Sequence, residues 1–204
     1  MGLDLEAIIK TAGYLGLMAI IFAETGLLFG FFLPGDTLLI TAGLLIQQEK
    51  VDLELWLLIV LLLIAAVIGD AVGYQIGKHT GPRIFKRESG RIFRREHLER
   101  AKAFYDRHGG KTIVIARFLA FIRTFAPTVA GAAEMPYRRF AVYNITGAAL
   151  WVPSLTLMGY FFGKAIPAEM VDVFFVGMLV VMVAASSAPA AYHLWKRRRA
   201  DSRA

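Results

Sequence analysis

The hydrophobic positions of this chain run in long blocks rather than in the half-apolar stripes of surface helices. Residues 55–76, 140–162 and 174–195 are each long enough to cross a hydrocarbon core of about 30 Å at about 1.5 Å per residue. Two further blocks are broken. Residues 11–33 run into Pro34, Gly35 and Asp36, and the apolar run that resumes at Thr37 stops at Ile46, too short to cross. Residues 112–133 carry Arg117 and Arg123 and are interrupted by Pro127. Non-helical backbone at membrane depth survives only inside protein or beside a wet cavity. Both broken blocks are therefore expected to be re-entrant hairpins with proline-containing loops at their tips, although residues 11–23 fit a full crossing or a dip equally. The predicted fold is an all-α integral membrane protein, with two oppositely oriented re-entrant helical hairpins and about three full transmembrane helices.

Composition agrees with a bilayer solvent. The chain has 204 residues, 57% of them hydrophobic, and a mean hydropathy of +0.55. Its 23 Lys and Arg outnumber its 16 Asp and Glu, but the excess sits in two places. Residues 78–111 hold eleven basic and four acidic side chains, and the tail from residue 196 holds five basic and one acidic. The positive-inside bias puts both on the cytoplasmic side and the acidic turn at residues 47–54 outside. Two spans separate loop from tail, so the parity agrees. Asp4 and Glu6 replace the positive start of a cleavable signal, and the first apolar block is expected to persist in the mature protein.

An internal repeat is readable by spacing. Glu24 lies ten residues before Pro34, and Arg117 ten residues before Pro127. Downstream, Gly73-Tyr74-Gln75-Ile76-Gly77-Lys78 closes one span and Gly159-Tyr160-Phe161-Phe162-Gly163-Lys164 closes another. Within a single membrane domain this gives a first repeat over 11–77, a basic cytoplasmic amphipathic linker over 78–111, a second repeat over 112–164, a final transmembrane helix over 173–195 and a basic tail over 196–204. Opposite insertion of the two hairpins is what an inverted repeat produces. The stripe Gly69, Gly73 and Gly77 also suits close helix approach.

An ionised side chain at the bilayer centre costs about 2.5 to 3.5 kcal/mol on insertion scales, so each marks a functional candidate. Glu24, Asp36 and Asp70 are acidic, whereas Arg117 and Arg123 fall in the opposite half of the repeat. If the hairpins meet, the acids of one face the arginines of the other. Arginine presents a planar fork that matches phosphate oxygens, and broken helix ends add unpaired N–H groups. A carboxyl group between an apolar setting and a nearby arginine is poised to exchange protons, so Glu24 and Asp36 are the expected proton-coupling acids. The competing reading is that these acids only neutralise the arginines and lock the hairpins. Asp70, judged near the cytoplasmic end of its span, ranks below the other four.

These residues resemble a known family. Phe22-Ala23-Glu24, then Phe32-Leu33-Pro34-Gly35-Asp36, and later Arg117-Phe118 with Ile122-Arg123-Thr124 ahead of Pro127 and Ala130-Gly131, look like the DedA family over about residues 19–164. Asp36 stands where many relatives carry Glu. The resemblance implies a multi-pass bacterial inner-membrane protein, its C-terminus cytoplasmic, that moves polyprenyl phosphate (undecaprenyl phosphate) or phospholipid between leaflets, often with dependence on proton-motive force. It puts the essential acids on Glu24 and Asp36 and the essential arginines on Arg117 and Arg123, with Pro34, Gly35, Pro127 and Gly131 in the motifs around them. The expected partners are a lipid with a phosphate headgroup, protons, and anionic lipids at the cytoplasmic face.

The remaining features narrow the alternatives. No cysteine is present, which excludes disulfides, thiolate zinc sites and thiol nucleophiles. His79, His97, His108 and His193 show no metal-ligand spacing, so neither metal nor cofactor is expected. A histidine-based lipid phosphatase would need histidines beside the arginines, and the hairpins contain none. The basic amphipathic stretch at 96–108 suits anionic headgroups rather than nucleic acid. Trp56 and Trp195 lie at span ends, while Trp151 sits mid-span near Pro153, and Asn144 is a candidate polar lining residue. A phospholipid flippase or scramblase and a structural assembly factor remain the alternative readings.

Overall fold

The computed structural model describes residues 5–27, 35–84, 103 and 110–165, which fall in one compact unit spanning residues 1–165. Pro34, most of the basic linker, the expected helix at 173–195 and the tail at 196–204 lie outside the described residues. Every regular element among the described residues is helical. In chain order these are α1 (Leu5–Gly26), α2 (Gly35–Gln47), α3 (Leu55–Ile84), α4 (Lys111–Ala116), α5 (Ala120–Ala132) and α6 (Tyr137–Ala165).

Length sorts the helices into two kinds. Leu55–Gly81 within α3 and Tyr137–Lys164 within α6 are long and apolar enough to cross a membrane. By contrast α2 and α5 have 13 residues each, about 20 Å, which falls short of a hydrocarbon core of about 30 Å. α1 breaks at Gly13, whose φ of 55° lies in the left-handed region that a side chain disfavours, and its apolar part, Gly13–Gly26, is also short. Tyr14, next to that break, accepts a hydrogen bond from Glu54 N–H at 2.6 Å and ties the start of α1 to the turn before α3.

Two expectations need correction. Pro127 lies inside α5 and does not form a tip; the second broken block turns at Arg117–Leu119, where Leu119 is extended (φ −113°, ψ 99°). A proline interrupts one backbone bond, but neighbours on α3 hold the rest of the helix in register. The first span also continues past residue 76 to Gly81 and beyond, because Gly77 and Gly81 pack directly on Thr128 and Ala132 of α5.

The short and long helices interleave. α2 packs mainly on α6 and α5 mainly on α3, so the short helix of each half lies against the long helix of the other. The contacts are made through glycine on both sides. A Cβ at Gly43 of α2 would strike Thr156 O of α6, and a Cβ at Gly131 of α5 would strike Tyr74 O of α3. Both short helices also end alike. Glu49 (φ 55°) and Glu134 (φ 59°) adopt the left-handed conformation after α2 and α5. Lys50 N–H then donates to Leu45 O at 3.0 Å, and Met135 N–H to Ala130 O at 3.1 Å, closing the same cap motif.

α2 is the most enclosed element, with residues 37–45 all buried. A short helix that is apolar all round has no polar face to give to water, and α6 and α1 pack against it. Outward-facing Trp56, Val60, Ile64 and Ile68 on α3, and Val142, Ile145, Leu150 and Phe161 on α6, leave a broad apolar exterior. A second packed cluster joins Tyr74, Ile113, Ala130, Met135 and Phe140, with the Tyr74 hydroxyl donating to Met135 O and its ring stacked on Phe140 at 4.6 Å.

Candidate functional site

Four ionisable side chains sit where the short helices begin and end. Glu24 lies in the last turn of α1, and Asp36 in the first turn of α2. Arg117 caps the C-terminus of α4, and Arg123 lies in the first turn of α5, donating its own N–H to Leu119 O at 3.0 Å. The chain breaks thus deliver charge to the interior: Glu24, Arg117 and Arg123 are 2%, 4% and 8% exposed. A buried ion persists only with partners, and each of these has them.

The pairing divides into two centres. Arg123 forms ion pairs with both acids of the first half, Nη2 to Glu24 and Nη1 to Asp36. Arg117 instead pairs through Nη2 with Asp70 of α3, and the same Nη2 donates to Asn144 Oδ1 at 2.5 Å. Asn144 in turn donates from Nδ2 to Val67 O at 3.1 Å, bridging α6 to α3. Between the centres stands Trp151 of α6. The Cζ of Arg123 lies 4.7 Å and that of Arg117 5.8 Å from its ring centroid, both within cation–π reach, and its Nε1–H donates to Asp36 Oδ1 at 2.9 Å.

Two glycines make room for the charges. Gly35 opens α2 directly against the Glu24 carboxylate, where a side chain would collide, and it sets that carboxylate at a helix N-terminus, which favours negative charge. Gly147 on α6 lies beneath Arg117, with a Cβ placed there coming 2.9 Å from Arg117 Cδ. Pro127 and Gly131, one turn apart on α5, face α3 at Gly73 and Tyr74. They shape the contact between α5 and α3.

The arginines retain donors. Arg117 Nε and Nη1 and Arg123 Nε are buried and meet no acceptor among the described residues. Buried guanidinium N–H groups without acceptors are costly, and an oxyanion is the chemical partner that fits a planar array of such donors. Among the described residues no group of three His, Cys, Asp or Glu side chains is placed to hold a metal ion.

The structure brings Glu24, Asp36 and Arg123 together and places Arg117 beside them through Trp151. It promotes Asp70, which lies well inside a longer span than expected and is a direct partner of Arg117. Trp151 and Asn144 become central. The signal for Trp151 was its position, since a tryptophan far from either membrane interface is unusual in a spanning helix. Nothing in the pattern marked Gly147.

Residues 33–161 match the VTT domain. Over 193 residues, 94% of this chain and 86% of the relative, the sequence is 46% identical to Protein DedA of Escherichia coli (strain K12). The chain belongs to the DedA family of VTT domain proteins. This DedA-family chain is also 40% identical, over 91% of its length and 81% of the relative, to an uncharacterized membrane protein of Mycobacterium leprae (strain TN). It is 40% identical, over 72% of its length and 66% of the relative, to inner membrane protein YghB of Escherichia coli (strain K12). No solved structure matches it. The VTT domain contains Asp36, Asp70, Arg117, Arg123, Asn144 and Trp151, while Glu24 lies before its start.

Proposed function

We propose that this DedA-family membrane protein moves a phosphate-bearing lipid, polyprenyl phosphate in the first instance, between the leaflets of a bacterial inner membrane. The observation that carries the reading is the pair of buried arginines within cation–π reach of one indole ring, with guanidinium N–H donors that meet no acceptor among the described residues. Moving a phosphate through hydrocarbon unaided is prohibitive because its charge would be unpaired. Arg117 and Arg123 supply the counter-charge, and the lipid tail stays in the bilayer through a lateral opening. The two short helix pairs act as oppositely inserted re-entrant hairpins, consistent with helices of about 20 Å and with charged chain breaks that only protein or a wet cavity can shelter. The basic linker and tail are cytoplasmic.

Protons complete the cycle. When the phosphate binds Arg123, Glu24 and Asp36 lose part of their counter-charge, and protonation of one acid offsets the charge that a phosphate monoanion brings. Three carboxylates, Glu24, Asp36 and Asp70, already share two arginines, so an added anion needs compensation. The site works by binding and release, without covalent chemistry.

Purified protein in liposomes should move polyprenyl phosphate faster than phosphatidylethanolamine, and an imposed pH gradient should accelerate it. Equal movement of both lipids would favour a general phospholipid scramblase. Release of inorganic phosphate would mark a lipid phosphatase, and neither movement nor release would leave a scaffold.

A further inference from the structure

Trp151 touches both ion centres while belonging to neither short helix pair. It is 1% exposed, lies under both guanidiniums, and donates to Asp36. Interfacial anchoring, the ordinary role of tryptophan in membrane helices, does not explain a buried ring midway along α6. What a ring face offers, and a carboxylate does not, is attraction for a guanidinium that uses none of its N–H donors. The donors left over among the described residues are Arg117 Nε and Nη1 and Arg123 Nε.

The indole N–H has a separate consequence. Asp36 Oδ1 accepts from Arg123 Nη1 and from Trp151 Nε1 together. An anion that takes Arg123 away from Asp36 leaves that carboxylate with a remaining donor, so it is not stranded in the interior. We propose that Trp151 is the positioning residue of a phosphate receptor formed by Arg117 and Arg123, its ring fixing both guanidinium planes and its N–H holding Asp36 when the phosphate displaces it. The inference rests on the phosphate reading above and names the residue that assembles the two arginines into one receptor.

Replacing Trp56 and Trp195 by Phe leaves Trp151 as the single tryptophan, since the chain has three. In lipid nanodiscs, farnesyl phosphate should change the emission of Trp151 and farnesol, the same tail without phosphate, should not. Trp151→Phe keeps a ring face but loses the N–H. It should bind farnesyl phosphate within about threefold of the parent, with a displaced pH profile of binding. Trp151→Leu loses both and should bind about tenfold more weakly or worse. Parental affinity and an unchanged pH profile in Trp151→Leu would overturn the assignment while arginine-dependent phosphate binding stands. If Trp151→Leu fails to fold, an unchanged pH profile in Trp151→Phe overturns it instead. Identical responses to farnesyl phosphate and farnesol in the parent would remove the phosphate reading and this inference with it.

Discussion

Asp70 and Arg117 form a buried ion pair across 47 residues of sequence, and Asn144 holds the arginine beside it. Asn144 accepts from Arg117 and donates to Val67 O, one turn before Asp70 on α3. The pair thus joins a chain break to the middle of a helix long and apolar enough to span a membrane. Its partner centre, Arg123 with Glu24 and Asp36, joins the other side of the same break to the first half of the fold.

Breaking the Asp70–Arg117 pair from one side leaves an uncompensated charge in the interior. Asp70→Ala should therefore destabilise the protein by about 3 to 5 kcal/mol, and Asp70→Ala combined with Arg117→Met should recover much of that loss. Thermal unfolding in detergent, read as a double-mutant cycle, checks this; additive losses would show that the pair contributes no coupling.

Locking and transport separate at Glu24. The structure pairs Glu24 with Arg123, so the informative exchange is Glu24→Arg with Arg123→Glu. Opposite charges still meet between positions 24 and 123, although the carboxylate now at 123 faces Asp36; the exchanged protein should fold with reduced stability, yet should not move polyprenyl phosphate in liposomes. Restored transport would assign the pair a purely structural role.

Glycines on the α3–α5 contact should respond with opposite sign. A Cβ at Gly131 meets the backbone of Tyr74, which cannot step aside, and Gly131→Ala should cost about 1 to 3 kcal/mol. A Cβ at Gly73 meets Pro127 Cβ at 3.5 Å, an ordinary contact, and Gly73→Ala should be neutral or stabilise by up to about 1 kcal/mol through helix propensity. Melting temperatures of the two variants, measured side by side, decide it.

Glu49 is exposed and held at φ 55° after α2. Glu49→Gly should stabilise the protein by about 0.5 to 1 kcal/mol, since the left-handed conformation costs a side chain about 1 to 2 kcal/mol and glycine loses part of that gain in unfolded-state entropy. A lower melting temperature would mean that the glutamate side chain offsets its own strain.

Gly147→Ala should lower transport more than stability. The added methyl falls against the aliphatic part of Arg117, which can shift, but the shift moves the guanidinium off Trp151. Initial rates of lipid movement and a thermal melt on the same preparation distinguish this from simple unfolding.

The sequence by itself determined the solvent and the kinds of element. Long apolar blocks made α3 and α6 spanning-length helices, and the charges at Glu24, Asp36, Arg117 and Arg123 marked chain breaks, because a charge in hydrocarbon is costly wherever the helices go. Family membership was legible for the same reason, in short motifs that surround those charges. What the tertiary structure decided was partnership. Spacing alone suggested that acids of one half meet arginines of the other, but not that Arg123 takes both Glu24 and Asp36 while Arg117 turns to Asp70. The turn at Arg117–Leu119 was hidden behind Pro127, whose lost hydrogen bond a helix packed on α3 tolerates. Trp151, Asn144 and Gly147 were hidden more deeply, since their roles come from facing across helix contacts set by where glycine lets backbones approach. Hydrophobic pattern is a property of one segment against its solvent; which polar groups satisfy each other is a property of several segments at once.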